Sequence, residues 1–105
     1  METIIHKIRL FDIAQADAFE SWVQNVDYAT CPDLPSVVRF DVHRASQDPA
    51  APYHYLEVIK ITDRAAFDAD METSTFAGLV QAFSRMAEVV EELAGEQLGS
   101  GYAAG

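Results

Sequence analysis

The sequence predicts an α+β fold in which one antiparallel sheet carries helices on a single face. Three segments alternate like strands, at residues 3–10, 36–46 and 53–61. Two further stretches repeat apolar residues at the three- and four-residue spacing of amphipathic helices. The order of these segments supplies the third observation.

Residues 3–10 carry the branched side chains Thr3, Ile4, Ile5 and Ile8 and read as a strand. Asp12-Ile13-Ala14-Gln15 then matches a capping box, a carboxylate followed three residues later by a glutamine. The helix it opens places Phe19, Trp22, Val23 and Val26 on one apolar stripe and must end before Pro32. In 36–46, Val38, Phe40 and Val42 point one way, while Val37, Arg39, Asp41 and His43 point the other. Ser46 to Pro52 is a turn by composition. From Tyr53 to Ile61, Leu56 and Val58 oppose Tyr55, Glu57 and Ile59. A hairpin centred near Asp48 and Pro49 sets Phe40 beside Val58, Val42 beside Leu56 and Asp41 opposite Glu57.

Thr62 or Asp63 caps a short helix through Phe67 and Met71. After the Ser/Thr cluster at 73–75, a longer helix aligns Phe76, Leu79, Val80, Phe83, Ala87, Val90 and Leu93, with Glu88, Glu91 and Glu92 outside and Gly95 as its stop. A short last strand is expected between Glu96 and Gly105. The resulting β-α-β-β-α-β order, with a broken second helix, is the ferredoxin-like arrangement in one domain, residues 1–105. Helices on one face leave the other bare, presenting Val37, Arg39, Asp41, His43, Tyr55, Glu57 and Ile59. That mixture is too apolar for bulk water and too polar for a dry core. A homodimer pairing two such faces is the economical cover, and a cavity beside the sheet would hold the ligand.

With 17 acidic against 7 basic residues, the chain has a formal charge of −10. Such a surface repels phosphate backbones and anionic lipid, so neither nucleic acid nor membrane is an expected partner. No apolar run approaches the roughly 20 residues of a membrane span. The start, Met1 to Lys7, has an acidic residue at position 2 and no long apolar core, unlike a secretory signal. One cysteine permits no intrachain disulfide, which fits a reducing cytoplasm.

Several side chains carry chemistry. Asp41 and Glu57, if opposed and partly desolvated, cannot both ionise cheaply, and one could hold a proton; the alternative is a solvated pair neutralised by Arg39 or His43. His6 shares a strand face with Ile4, Ile8 and Leu10, where it is either a base in an apolar pocket or a core residue with one hydrogen bond. The histidines His6, His43 and His54 lack the short helical spacing of a metal site, and there is no Cys-x-x-Cys, so no metal is expected. Cys31, beside Pro32 and Asp33, has no positive neighbour to stabilise a thiolate and reads as pocket lining. Trp22, Tyr28, Tyr53 and Tyr55 could form a flat aromatic lining for a conjugated heteroaromatic guest. Serine-hydrolase, P-loop and Rossmann motifs are absent from the sequence.

The stretch Asp27 to Val37 is the densest in information. Pro32 and Pro35 stiffen it around a phenol, a thiol and carboxylates, which suits the rim of a site. With the preceding Trp22, and together with IIHKIRL at the first strand, FESWVQNVDYATCPDLPSVVRFDVHR and YHYLEVIKITD, it resembles the RedY/HapK-like family associated with prodigiosin-type pigment biosynthesis. The resemblance covers nearly the whole chain. It implies a dimeric ferredoxin-like α+β barrel in bacterial secondary metabolism, acting on pyrrole- or indole-derived intermediates without a tightly bound cofactor. The opening strand is also similar to the KHIVLFK-type opening of the wider dimeric α+β barrel group, whose histidine can line the pocket; His6 is the matching position.

The expectation is therefore a cofactor-independent enzyme that steers condensation, cyclisation or tautomerisation of a planar heteroaromatic intermediate by proton transfer. His6 and Asp27 are the expected base and its orienting partner or second acid, with His43 as a reserve donor. Trp22, Tyr28 and Tyr55 would stack on the guest, Arg39 would hold an anionic or carbonyl group, and Cys31 and Glu57 would line the site. The alternatives are a non-catalytic carrier of a reactive intermediate and a cofactor-free monooxygenase of the antibiotic-biosynthesis type.

Overall fold

In the computed structural model, which describes residues 1–105, the first alternating segment becomes β1 (Glu2–Leu10) and lies inside a four-stranded sheet. α1 (Ala16–Trp22), α2 (Tyr28–Thr30), β2 (Val37–Arg44), β3 (Tyr55–Ile61), α3 (Arg64–Met71), α4 (Ser74–Ser84) and β4 (Ala87–Glu96) follow. All pairings are antiparallel and the strand order is β2-β3-β1-β4, the ferredoxin-like topology. Ile4, Ile8 and Leu10 of β1 and Tyr55, Ile59 and Ile61 of β3 are buried with Phe19, Val23 and Phe67 from the helical layer. The helix-covered face of β1 is thus the Ile4, His6, Ile8 side.

Capping residues do what their chemistry suggests. Asp12 accepts from the Ala14 N–H at 2.9 Å, opening a single 3-10 turn at Ile13–Gln15 that leads into α1. Asp63 caps α3 by accepting from Ala66, and the Thr73 hydroxyl caps α4 by accepting from Phe76. Buried Asp70 accepts from both the backbone N–H and the hydroxyl of Ser36, pinning the proline-bounded loop to the end of α3.

Three departures from the sequence reading have physical causes. First, α1 continues into a π turn, Val23–Asp27, in which the Tyr28 N–H bonds the Val23 carbonyl. The wide turn takes in an extra residue, so Val26 swings outside the apolar stripe and is 43% exposed while Asp27 turns inward. Second, β2 and β3 pair one residue away from the expected register: Phe40 faces Ile59, Val42 faces Glu57 and Asp41 faces Val58. The connection from Ala45 to His54 is a long loop in which Ala45 and Ser46 both donate to the His54 carbonyl, and an irregularity between Val37 and Arg39 shifts the ladder again. A one-residue slip exchanges faces, so Tyr55, Glu57 and Ile59 lie under the helices and the Asp41–Glu57 pair does not form.

Third, α4 stops at Ser84, and Ala87 to Glu96 form β4 instead of more helix. The helical stripe is real through Phe83. Beyond it, β-branched Val89 and Val90 and the free edge of β1 decide, and pairing overrides the helix preference of Ala, Glu and Leu. No strand follows Glu96; Gly99 and Gly101 adopt φ of +60° and +66° there.

On the uncovered face, Ile5 lies abreast of Val58 and Leu93, bordered by the ion pairs Lys7–Glu91 and Arg39–Asp41.

Candidate functional site

Between the covered sheet face and the helices lies a cavity of about 520 Å³. Its walls are mostly apolar, with Trp22, Phe40, Phe67, Phe76 and Phe83 supplying rings, and its polar edge is formed by His6, Asp27, Glu57 and Glu92. That size and this balance suit a planar organic guest.

Strand register builds the polar edge. On the central strand, His6 has Glu57 of β3 on one side and Glu92 of β4 on the other. Its Nδ1 lies 3.3 Å from Glu57 Oε2 and its Nε2 lies 2.7 Å from Glu92 Oε1. Burial alone would lower the imidazole pKa, but the hydrogen bonds to Glu57 and Glu92 and their charges outweigh it, and the net shift is upward from 6.5. Glu92 moves the opposite way, held below the usual carboxylate range chiefly by its bond to His6.

Asp27 enters from the π turn. Burial, reinforced by the negative charge of Glu57, pushes its carboxyl up from 3.8 to about 7. The group is thus poised between acid and base near neutral pH. Cys31 lines the same cavity with its Sγ directed at the Asp27 carbonyl, 3.5 Å away. Burial and the charges of Asp27 and Glu57 push the thiol up to about 11, so it is a lining group and not a ready nucleophile.

Of the residues singled out from sequence, His6, Trp22, Asp27, Cys31 and Glu57 converge on this cavity. The other four lie outside it. Tyr28 packs edge-on against Phe40, and its hydroxyl accepts from the Val42 N–H at 3.0 Å, satisfying a donor on the outer edge of β2. Tyr55 is a core residue whose ring packs tilted against Phe19 with centroids 4.8 Å apart, its hydroxyl donating to Glu20, which also binds Arg44. Arg39 is exposed and bonded to Asp41, and His43 is exposed on the uncovered face, because the observed register puts both away from the helices.

Glu92 is the residue the sequence reading missed. Placed on a helix, it looked like a solvated charge; only as part of β4 does it meet His6. The adjacent pair Val89-Val90 was the available signal for a strand. Buried His54, by contrast, is structural: its Nδ1 accepts from the Leu10 N–H and its Nε2–H donates to the Asp48 carbonyl. No three His, Cys, Asp or Glu side chains are arranged to hold a metal ion.

Comparison with known proteins extends this picture. Residues 2–98 match the family described as REDY-like protein HapK. The chain belongs to that family. The crystal structure of HapK from Hahella chejuensis is 93% identical, with each chain covered over 100% and a TM-score of 0.99. SnoaB, a cofactor-independent oxygenase from Streptomyces nogalater, is 15% identical over 94% of each chain, with a TM-score of 0.67. An antibiotic biosynthesis monooxygenase is 18% identical over 94% of this chain and 100% of its own, also with a TM-score of 0.67. At those identities the last two share the fold with this HapK-family chain. None of the curated proteins compared matches it.

Proposed function

We propose that this HapK-family chain is a small cofactor-independent enzyme of bacterial secondary metabolism, in a prodigiosin-type pyrrole or indole pathway. It takes a planar heteroaromatic intermediate and steers a condensation, cyclisation or tautomerisation by proton transfer. One observation carries the reading: a ring-walled cavity with a carboxyl group, Asp27, whose pKa of about 7 matches the task. Protonated Asp27 gives its proton to a ring or leaving atom of the guest, and the carboxylate left behind accepts one from a neighbouring ring position. Burial, reinforced by the charge of Glu57, keeps Asp27 from ionising too early, and His6, clamped by Glu92, fixes Glu57. His6 is therefore a positioning group whose nitrogens are both engaged, with the direct proton exchange falling to Asp27. Trp22 supplies a stacking wall.

The test is product formation from the purified intermediate, with binding followed through Trp22, the only tryptophan. Asp27→Asn should slow turnover by roughly 10²–10⁴-fold while binding persists, the usual weight of a general acid–base group. Unchanged rates with retained binding in both Asp27→Asn and His6→Ala would establish a carrier instead. The fold shared with the oxygenase SnoaB supports a second reading, a cofactor-free monooxygenase, which incorporation of oxygen from labelled O₂ into the product would single out.

The uncovered face supports a homodimer: Ile5, Val58 and Leu93 form an apolar row that a second copy would cover. Sedimentation of a monomer at micromolar concentration would refute that. No helix is long and apolar enough to cross a membrane, and the free thiol suits a cytoplasmic location.

A further inference from the structure

We infer that the cavity selects a flat aromatic guest carrying positive charge, on its ring system or on a short amine side chain, and discriminates against anionic guests. This inference rests on the cavity being the site proposed above and names the substrate class it takes. The ionisable lining consists of Asp27, Glu57, Glu88 and Glu92 with His6 and the Cys31 thiol, and no lysine or arginine lines the cavity. Lys7, Arg39 and Arg44 are paired with Glu91, Asp41 and Glu20; Arg64, bonded to Asp68, is the basic residue whose charge reaches Glu92, and it stays outside the cavity wall. Even as imidazolium, His6 sits between two carboxylates, so that trio remains net negative before Asp27 and Glu88 are added.

A negative edge in an apolar chamber acts strongly, because few water molecules screen it. The rings of Trp22, Phe40, Phe76 and Phe83 add a second preference of the same sign, since aromatic faces attract cations. A flat cation whose N–H groups lie in its ring plane could stack on those rings and point its donors at Glu57 and Asp27 together. A carboxylate or phosphate on the guest would instead meet like charge, with no lysine or arginine in the cavity wall to receive it. The same field favours any step in which positive charge builds on a ring nitrogen.

The experiment is calorimetric titration at pH 8 and low salt with three indoles differing only in side-chain charge: tryptamine, 3-ethylindole and indole-3-propionate. Tryptamine should bind about tenfold or more tighter than 3-ethylindole, and indole-3-propionate correspondingly weaker. In the Asp27→Asn/Glu57→Gln double variant the preference for tryptamine over 3-ethylindole should shrink severalfold, Glu88 and Glu92 holding the remainder. Binding of indole-3-propionate as tightly as tryptamine, or a preference undiminished in the double variant, would overturn the inference and leave the cavity standing as an aromatic site. Failure of all three to bind would remove the site itself, and the functional proposal with it.

Discussion

His6 and Glu92 meet across the β1–β4 pairing, with the imidazole Nε2 2.7 Å from the carboxylate. The folded-state imidazole pKa lies above 6.5, so the stability this pair contributes is complete below that value and is lost as pH rises through the folded-state value. Glu92→Gln should lower the imidazole titration midpoint, read from its ring C–H resonances. It should cost about 0.5–1 kcal/mol of stability at pH 6 and less at pH 9. An unmoved midpoint would mean that the contact does not persist in solution.

Asp27 links function to stability in the opposite direction from most carboxylates. Its folded-state value of about 7 exceeds the usual 3.8, so its favourable contribution is full below 3.8 and is lost as pH rises through 7. Asparagine cannot ionise. Asp27→Asn should therefore match the parent in denaturant resistance near pH 4 and exceed it at pH 8.5, by an upper bound of about 4 kcal/mol. Equal stability at both pH values would show that Asp27 ionises freely.

Cys31 should alkylate slowly. A thiol pushed up to about 11 presents far less thiolate at pH 7.5 than an ordinary cysteine, and its reaction with iodoacetamide should be about a hundredfold slower. Since Asp27 is one cause of the shift, Asp27→Asn should speed the reaction at pH 8 and above. An ordinary rate in the native protein would contradict the burial.

Tyr55→Phe separates core from cavity. Its hydroxyl donates to Glu20 at 2.7 Å outside the chamber, so the variant should lose about 1–2 kcal/mol of stability and keep its turnover number. A fall in turnover without loss of stability would return Tyr55 to the site.

Element type and order were legible because period and caps agree for β1, α1, α3 and α4. What could not be read locally was register. Glu57 is identified from sequence, but with Asp41 as partner instead of His6, since the β2–β3 ladder depends on a long loop and a bulge that periodicity does not encode. Residues 87–96 carry helix-forming Ala, Glu and Leu, and only the unmet hydrogen bonds on the edge of β1 make them a strand. Asp27 was singled out by its place in an unusual loop; nothing in the local spacing announced the wide turn that aims it inward.

That wide turn makes the chemistry hang on one residue's worth of chain. Were Val23 to Asp27 wound as ordinary helix with no residue removed, everything downstream would turn by about 100°. The valine would reclaim the interior and the acid would move out to water. What remained would be a greasy hollow able to hold a molecule but lacking the carboxyl proposed to move its protons, so the winding of one turn separates the proposed catalyst from a mere container.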